Sequence, residues 1–326
     1  MQFFLLEYTF VKKILVTGSC GQIGSELVLA LRGRYGNEDV IAAGHKTKPS
    51  ESLLNSGPFE FIDCTDINAI VEVVRKHKAD TIYHLAAMLS AVAETKPQQA
   101  WNVNMNGLYN VLEVAREYNC AVFTPSSIGA FGPATPRNNT PQDTIQRPTT
   151  MYGVTKVAGE LLCDYYYRKF GVDTRGVRWP GIISYVTPPG GGTTDYAVEI
   201  YYEAIKQHRY TCFLKAGTYL DMMYMPDALK AAIDIMEADP NRLKHRNAFN
   251  VTAMSFAPEN IADEIKKHIP DFVMGYDVDP VRQAIADSWP NCMDDSAARE
   301  EWGWSPRYGL ASMTQDMLEK LSQRLQ

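Results

Sequence analysis

The sequence predicts an α/β protein with a doubly wound, mostly parallel sheet and a smaller C-terminal lobe. Three observations predict it: an apolar run entering evenly spaced glycines, an alternation of strand-like and helical stretches over the first 180 residues, and the loss of that rhythm afterwards. In the first, Ile14, Leu15 and Val16 are continuously apolar, as in a strand buried on both faces. Gly18, Gly21 and Gly24 follow at a three-residue step, with Gln22 and Ile23 between them, and Ile23, Leu27, Leu29 and Leu31 mark a helix. Strand, glycine turn and helix aim free backbone N–H groups and the positive helix end at a pyrophosphate. Glycine suits this turn because it is tight, and because a Cβ would hold the phosphates off the backbone. The spacing is GxxGxxG, not the commoner GxGxxG, so a plain tight turn is the competing reading.

Taken in order, residues 39–43 read as the second strand and 59–63 as the third. Asp66 then caps a helix with Ile67, Ile70, Val71 and Val74 on one face. Residues 81–87 form a fourth strand that runs into small residues. Pro97 opens a long helix to about residue 118, and 121–124 make a fifth strand. A loop rich in Pro, Asn and Thr over 132–149 leads to a helix over 151–170, and 174–178 make a sixth strand. This is the alternation of a Rossmann-type sheet. Past Trp179 it breaks, at Pro188-Pro189-Gly190-Gly191-Gly192. The expected division is a dinucleotide-binding domain over 12–180, with returns near 226–255, and a mainly substrate-binding lobe over 181–326. Ligands are expected where the strand C-termini meet that lobe.

At 326 residues the chain suits about two domains, and 45% hydrophobic with 21% charged residues is ordinary for a soluble protein. A net charge of −6 without any Lys/Arg run argues against a nucleic-acid surface. No apolar stretch approaches the roughly 20 residues of a membrane helix. Residues 1–11 carry no cationic n-region and fit neither a secretory signal nor a transit peptide. They read as a strand-like extension or an appended remnant. The six cysteines include no C-x-x-C pair and read as reduced, mostly structural thiols of an intracellular protein. The six histidines form no HExxH and no cluster with cysteine, so no metal site is expected.

Tyr152 and Lys156 stand four apart near the start of the 151–170 helix, so their side chains share a face. An ammonium beside a phenol favours the phenolate, which takes the proton from a substrate hydroxyl as hydride leaves the carbon. Ser127, just past the fifth strand, supplies a hydroxyl to hold the substrate oxygen. A Tyr-x-x-x-Lys pair alone also reads as a solvated helix face. Its place on the helix after strand five, with a serine beside that strand, is what makes the combination specific.

The glycine turn, Leu85-Ala86-Ala87, Asn104, Ser126-Ser127 and Tyr152-x-x-x-Lys156 resemble the extended short-chain dehydrogenase/reductases. Within them, the segments 125–133, 180–184, 190–197 and 287–290 resemble the short-chain L-threonine 3-dehydrogenases, the run Gly190-Gly191-Gly192-Thr193-Thr194-Asp195-Tyr196-Ala197 most specifically. The resemblance covers about residues 12–310. It implies NAD-dependent oxidation of L-threonine to 2-amino-3-oxobutanoate, feeding a CoA ligase that forms glycine and acetyl-CoA. It makes Tyr152 the base, Lys156 the residue that tunes it and binds ribose, and Ser127, usually threonine in that family, the residue that orients the hydroxyl.

The same resemblance assigns the cofactor to Gly18, Gly21, Gln22, Ile23, Gly24, Asp63, Cys64, Leu85, Ala86, Ala87, Asn104, Ser126, Tyr152, Lys156, Pro180 and Ile182, with Gly181 beside them. It assigns the amino acid to Ser90, Ser127, Tyr152, Gly192, Thr193, Thr194, Asp195 and Trp289. Thr193 and Thr194 also read as an N-cap, Asp195 as a partner of the helix end, and Trp289 as core. One departure stands out. Gly44-His45-Lys46 follows the second strand, where NAD-users usually place an acidic residue, and those residues taken alone tolerate a 2′-phosphate.

The helices 98–118 and 151–170 carry more apolar residues than one buried stripe needs, among them Trp101, Met105, Leu108 and Leu112, and Val157, Leu161, Leu162, Tyr165, Tyr166 and Phe170. In the resembling enzymes these helices pair two protomers, so a homodimer is expected. The compartment implied is the mitochondrial matrix in a eukaryote and the cytoplasm otherwise. The rival readings are a nucleotide-sugar epimerase or dehydratase on the same fold, and a nucleotide-sensing regulator without chemistry. The first needs a roomy nucleotide pocket in the second lobe. The second predicts loss of the tyrosine or lysine, and both are present.

Overall fold

The computed structural model describes residues 12–190 and 192–325. Residues 1–11, read above as an extension or remnant, lie outside the described residues. The first strand, β1 (Ile14–Thr17), is buried throughout, and so is β2 (Val40–Gly44). A strand with both faces covered has no reason to alternate, which is why these runs are unbroken. With β3 (Phe59–Phe61), β4 (Thr81–His84) and β5 (Ala121–Phe123) they run parallel, and Ser126–Ser127 (β6) and Thr174–Arg175 (β7) follow. The six-stranded sheet has the order β3-β2-β1-β4-β5-β7, so the direction of winding reverses between β1 and β4. The C-terminal residues of that central pair, Thr17 and His84, lie side by side in register and share a hydrogen bond of 2.8 Å.

The sixth strand, expected to be continuous over 174–178, is broken, and its break falls beside the end of the fifth. The fifth pauses at Thr124-Pro125 before β6, and the sixth at Gly176 before β8 (Val177–Trp179). Proline lacks the N–H that a central ladder needs. At Gly176 a Cβ would stand 2.1 Å from the Thr124 carbonyl oxygen, so the two backbones approach where no side chain intervenes. Beyond the break β8 pairs with β6, carrying Ser126 and Ser127 away from the main sheet.

The helices that bear on the site are α1 (Gln22–Tyr35), α2 (Glu51–Asn55), α3 (Ile67–His77), α4 (Ser90–Thr95), α5 (Pro97–Trp101), α6 (Gly107–Tyr118) and α7 (Met151–Phe170). Asp66 caps α3 by accepting from Asn68 N at 2.9 Å, as the sequence suggested. The expected long helix to residue 118 is α5 and α6 joined by a π-helical turn, Asn102–Asn106. A wide turn of this kind changes which side chains face the sheet without ending the helix. Helix α7 matches its expected span: the Thr150 hydroxyl accepts from Gly153 N at 3.1 Å, and Gly171, at φ 72°, closes the last turn.

The second lobe holds β9 (Gly181–Ile183), α8 (Tyr196–Gln207), β10 (Arg209–Cys212), β11 (Leu220–Tyr224) and, after α9 (Met225–Glu237) and β12 (Phe249–Asn250), β13 (Met254–Phe256) and α10 (Pro258–Lys266). The strand β14 (Val273–Tyr276), α11 (Pro280–Asp287) and α13 (Leu310–Leu325) complete it, whereas α12 (Ser296–Trp302) packs on the first domain's core. The lobes are not two consecutive pieces of chain. Met223, Met225, Ala228, Ala232, Phe249, Trp302 and Trp304 pack into the core around Leu27, Val28 and Leu31. Conversely, Ile128 and Phe131 belong to the second lobe's core with Tyr196, Met222 and Trp289. Among the described residues no helix is long and apolar enough to cross a membrane.

Candidate active site

The site begins at the turn between β1 and α1. Gly18 adopts φ +74°, and a Cβ there would lie 2.6 Å from Ala86 N, so this residue presses against the exit of β4. A Cβ at Gly24 would lie 2.3 Å from the Gly18 carbonyl oxygen. Gly21 differs: its Cβ would meet nothing closer than Gly18 O, at 3.3 Å. Gly21 is also the N-cap of α1 and makes no side-chain cap. The turn thus leaves open space in front of backbone N–H groups and a helix N-terminus, which is what a pyrophosphate requires.

A groove runs along this turn as two adjoining cavities that share Gly18, Gly21, Leu85 and Ala87. One, of about 280 Å³, is lined further by Gly44, His45, Lys46, Asp63, Cys64, Ala86 and Val103. The other, of about 210 Å³, is lined by Gln22, Ile23, Gly24, Ser126, Ser127, Tyr152, Lys156, Pro180 and Ile182. Its wall also includes Leu89, Pro125 and Trp179, which motif reading did not select. An elongated groove over the strand ends at the reversal of winding fits a dinucleotide, with the adenosine in the first cavity and the nicotinamide in the second.

In the second cavity the three candidate catalytic side chains converge. Lys156 Nζ donates to the Pro125 carbonyl at 2.7 Å and lies 5.4 Å from the centre of the Tyr152 ring. Ser127 Oγ accepts from Gly129 N at 3.1 Å, which leaves its own proton free to donate. The base of α7 is held by Glu94 of α4, whose carboxylate accepts from Met151 N at 2.6 Å. Pro125 therefore does two things: it ends β5 before the serines, and its carbonyl fixes the lysine.

Behind Lys156 lies a small chamber of about 40 Å³, lined by His84, Asn104, Thr124, Ser126, Thr155, Glu160 and Asn247, among others. Asn104, expected at the cofactor, lines this chamber and not the groove. Its Oδ1 accepts from Met88 N at 2.7 Å, and its Nδ2 donates to Met88 O at 3.2 Å and Thr155 Oγ1 at 3.1 Å. The π turn carries it there, and the effect is to pin the segment after β4 to α7. His84 is fully enclosed; burial, with Lys156 adding to it, lowers its pKa to about 3, so the ring is neutral. Its Nε2 has no hydrogen-bond partner among the described residues.

Glu160 closes the far side. It accepts from Arg178 Nε at 3.0 Å and Nη2 at 2.8 Å, from Gln146 at 2.8 Å, and from the Ser126 hydroxyl. Arg178 donates onward to the Gln142 carbonyl and Asn250 Oδ1. This buried pair ties α7 to β6 and β8, and it holds Ser126 and Lys156 in one frame. The sequence did carry a signal for it: Tyr152, Lys156 and Glu160 follow one another at four-residue steps.

At the adenosine end, Thr65 N and Oγ1 donate to Asp63 Oδ1 at 3.0 and 2.7 Å and hold its carboxyl below the usual range. Cys64 is buried, and desolvation pushes its thiol up to about 11. The residues assigned to the amino acid stand apart from these cavities, Ser127 and Tyr152 excepted. Ser90 opens α4, and Trp289 is buried in the second lobe's core. The N-cap of α8 is Asp195, not a threonine. Its Oδ2 accepts from Gly190 N at 2.7 Å and Gly192 N at 2.8 Å, folding the glycine loop back on itself. Thr193 is buried, and the methyl of Thr194 packs at the backbone of Gly181, beside Pro180 and Ile182.

Fold and groove together define a nucleotide-dependent enzyme of the Rossmann class. A family model described as the NAD dependent epimerase/dehydratase family matches residues 14–252, and the chain belongs to that family. Within it, the solved L-threonine dehydrogenase of Clostridium difficile is similar at 64% identity and TM-score 0.95, over 96% of this chain and 98% of that one. The holo form of the L-threonine dehydrogenase of Cupriavidus necator gives 50% identity and TM-score 0.92, over 95% and 99%. Its apo form superposes less closely, at TM-score 0.82. An uncharacterized epimerase/dehydratase of Staphylococcus haemolyticus is 57% identical over 316 residues, 97% of this chain and 99% of its own length.

Proposed function

We propose that the protein is an L-threonine 3-dehydrogenase, oxidising the β-hydroxyl of L-threonine to give 2-amino-3-oxobutanoate. The observation that carries this is the convergence of Ser127, Tyr152 and Lys156 on the same groove as the glycine turn, in a chain so similar to solved threonine dehydrogenases. A bound nicotinamide dinucleotide supplies the hydride acceptor; the chain's own groups handle the proton. Ser127 donates to the substrate hydroxyl oxygen and fixes it. Tyr152 takes the hydroxyl proton. Lys156 puts a positive charge beside that ring and is itself fixed by Pro125 O, so the charge is in place before the reaction begins. Leu89, Pro180 and Ile182 give the pocket apolar walls that exclude water.

Ser90, Gly192, Thr193, Thr194, Asp195 and Trp289 are assigned to the amino acid by resemblance, with the second lobe closing over the groove. The reading also includes a homodimer through α7 and the 97–118 helix, whose Trp101, Tyr109, Val154, Leu161 and Tyr165 are exposed, and a CoA-dependent ligase that consumes the product. The test is reduction of NAD with L-threonine, L-serine and UDP-glucose as separate substrates. Threonine turnover, reduced by about 10²- to 10⁴-fold in Tyr152→Phe, supports the reading. Failure with threonine, together with a rearranged UDP-sugar product, points to the epimerase chemistry of the wider family.

A further inference from the structure

The adenosine end of the groove departs from the pattern that recognises an unphosphorylated ribose. That pattern puts a carboxylate just past the second strand, where it accepts from the ribose 2′-hydroxyl and repels a 2′-phosphate. Here the strand ends in Gly44. The space beside it is already taken: a Cβ at Gly44 would stand 2.8 Å from Cys20 Sγ and 3.0 Å from Phe59 Cζ. The next two residues, His45 and Lys46, are exposed and line the cavity together with Gly18, Cys20 and Gly21. Among the described residues lining that cavity, Asp63 is the one carboxylate. It is engaged by the N–H and hydroxyl of Thr65, and its second oxygen lies 3.4 Å from His45 Nε2. The wall thus offers an ammonium and an imidazole; it has no carboxylate just past the second strand, and its one carboxylate, Asp63, is engaged by Thr65 and faces His45.

We infer that this end of the site accepts a ribose bearing a 2′-phosphate, held by His45 and Lys46, so that NADP binds within tenfold of NAD. The inference rests on reading the groove as a dinucleotide site. Discrimination against NADP is ordinarily achieved by repulsion, and the repelling group is missing. A lysine is a point-charge binder of phosphate that needs no fixed geometry, so its exposure is no obstacle. His45 lines the cavity between Lys46 and Asp63, which it faces at 3.4 Å.

The test is calorimetric titration of the full-length protein with NAD, NADP, 5′-AMP and 2′,5′-ADP, which requires no turnover. The expected result is an NADP affinity within tenfold of that for NAD, and tighter binding of 2′,5′-ADP than of 5′-AMP. The double variant His45→Ala, Lys46→Ala should raise the ratio of the NADP to the NAD dissociation constant at least tenfold. NADP binding more than tenfold weaker than NAD in the unaltered protein overturns the inference and leaves the dinucleotide site intact. An unchanged ratio in the double variant overturns it as well. Failure of both dinucleotides to bind is a different result, and it removes the reading of the groove itself.

Discussion

Two enclosed side chains give this protein opposing responses to pH. Asp221 of β11 accepts from Met293 N at 2.7 Å and from the Thr252 hydroxyl, and burial pushes its pKa up to about 7. A carboxyl raised in the folded state stabilises the fold fully below its unfolded value, and that contribution is lost as pH rises towards about 7. His84, lowered to about 3, does the reverse: its contribution is present above the unfolded imidazole value and is lost as pH falls towards about 3. The two slopes oppose one another between about pH 4 and 6.5. Stability measured by urea unfolding should therefore rise more steeply across that range in Asp221→Asn than in the unaltered protein, and should fall in His84→Gln. Parallel curves for all three proteins would show that neither group titrates as the fold implies. At Ser127 the prediction is one of chemistry: Thr keeps the hydroxyl and activity within several-fold, whereas Ala loses at least tenfold in kcat at unchanged melting temperature. Equal loss in both variants would mean that space, not the hydroxyl, matters there.

At the level of elements, the catalytic helix works because other pieces hold it. Glu160 and Arg178 are both enclosed and share two hydrogen bonds. Removing one partner leaves the other charge buried alone, so Arg178→Met should cost roughly 3–5 kcal/mol of stability, read from denaturant midpoints. A change below about 1 kcal/mol would mean that water reaches the pair. Asp195 accepts from the backbone N–H groups of Gly190 and Gly192. Asp195→Ala should raise the KM for threonine while leaving dinucleotide affinity unaltered; a matching loss of dinucleotide binding would place the loop's role at the wrong end of the groove. The strand–glycine–helix unit and α7 were legible in sequence, because their signals are local: apolar runs, glycine spacing, and the Pro-, Asn- and Thr-rich loop that ends where α7 starts. The joint breaks at Pro125 and Gly176 were only half legible. Proline announces itself, but the Gly176 contact joins positions some fifty residues apart. The π turn was invisible, since hydrophobic spacing does not encode hydrogen-bond register, and with it the clasp of Asn104 on Met88. Glu160 and Arg178 were passed over because charges in sequence usually mean surface.

For the molecule as a whole, one prediction follows from its surface. Leu161 and Tyr165 are 63% and 52% exposed on α7, and a proposed partner protomer covers them. Sedimentation should show a dimer that Leu161→Glu converts to monomer, and a monomeric unaltered protein would refute that surface. The shared cores described above bear on history as much as on folding. Because the chain crosses between lobes repeatedly, and Trp302 and Trp304 complete the packing against Leu27 and Leu31, a gene cut near residue 180 would yield neither half. New specificities on this scaffold must then arise by substitution and loop change within an intact reading frame. Exchanging the substrate lobe as a cassette is not open to this lineage.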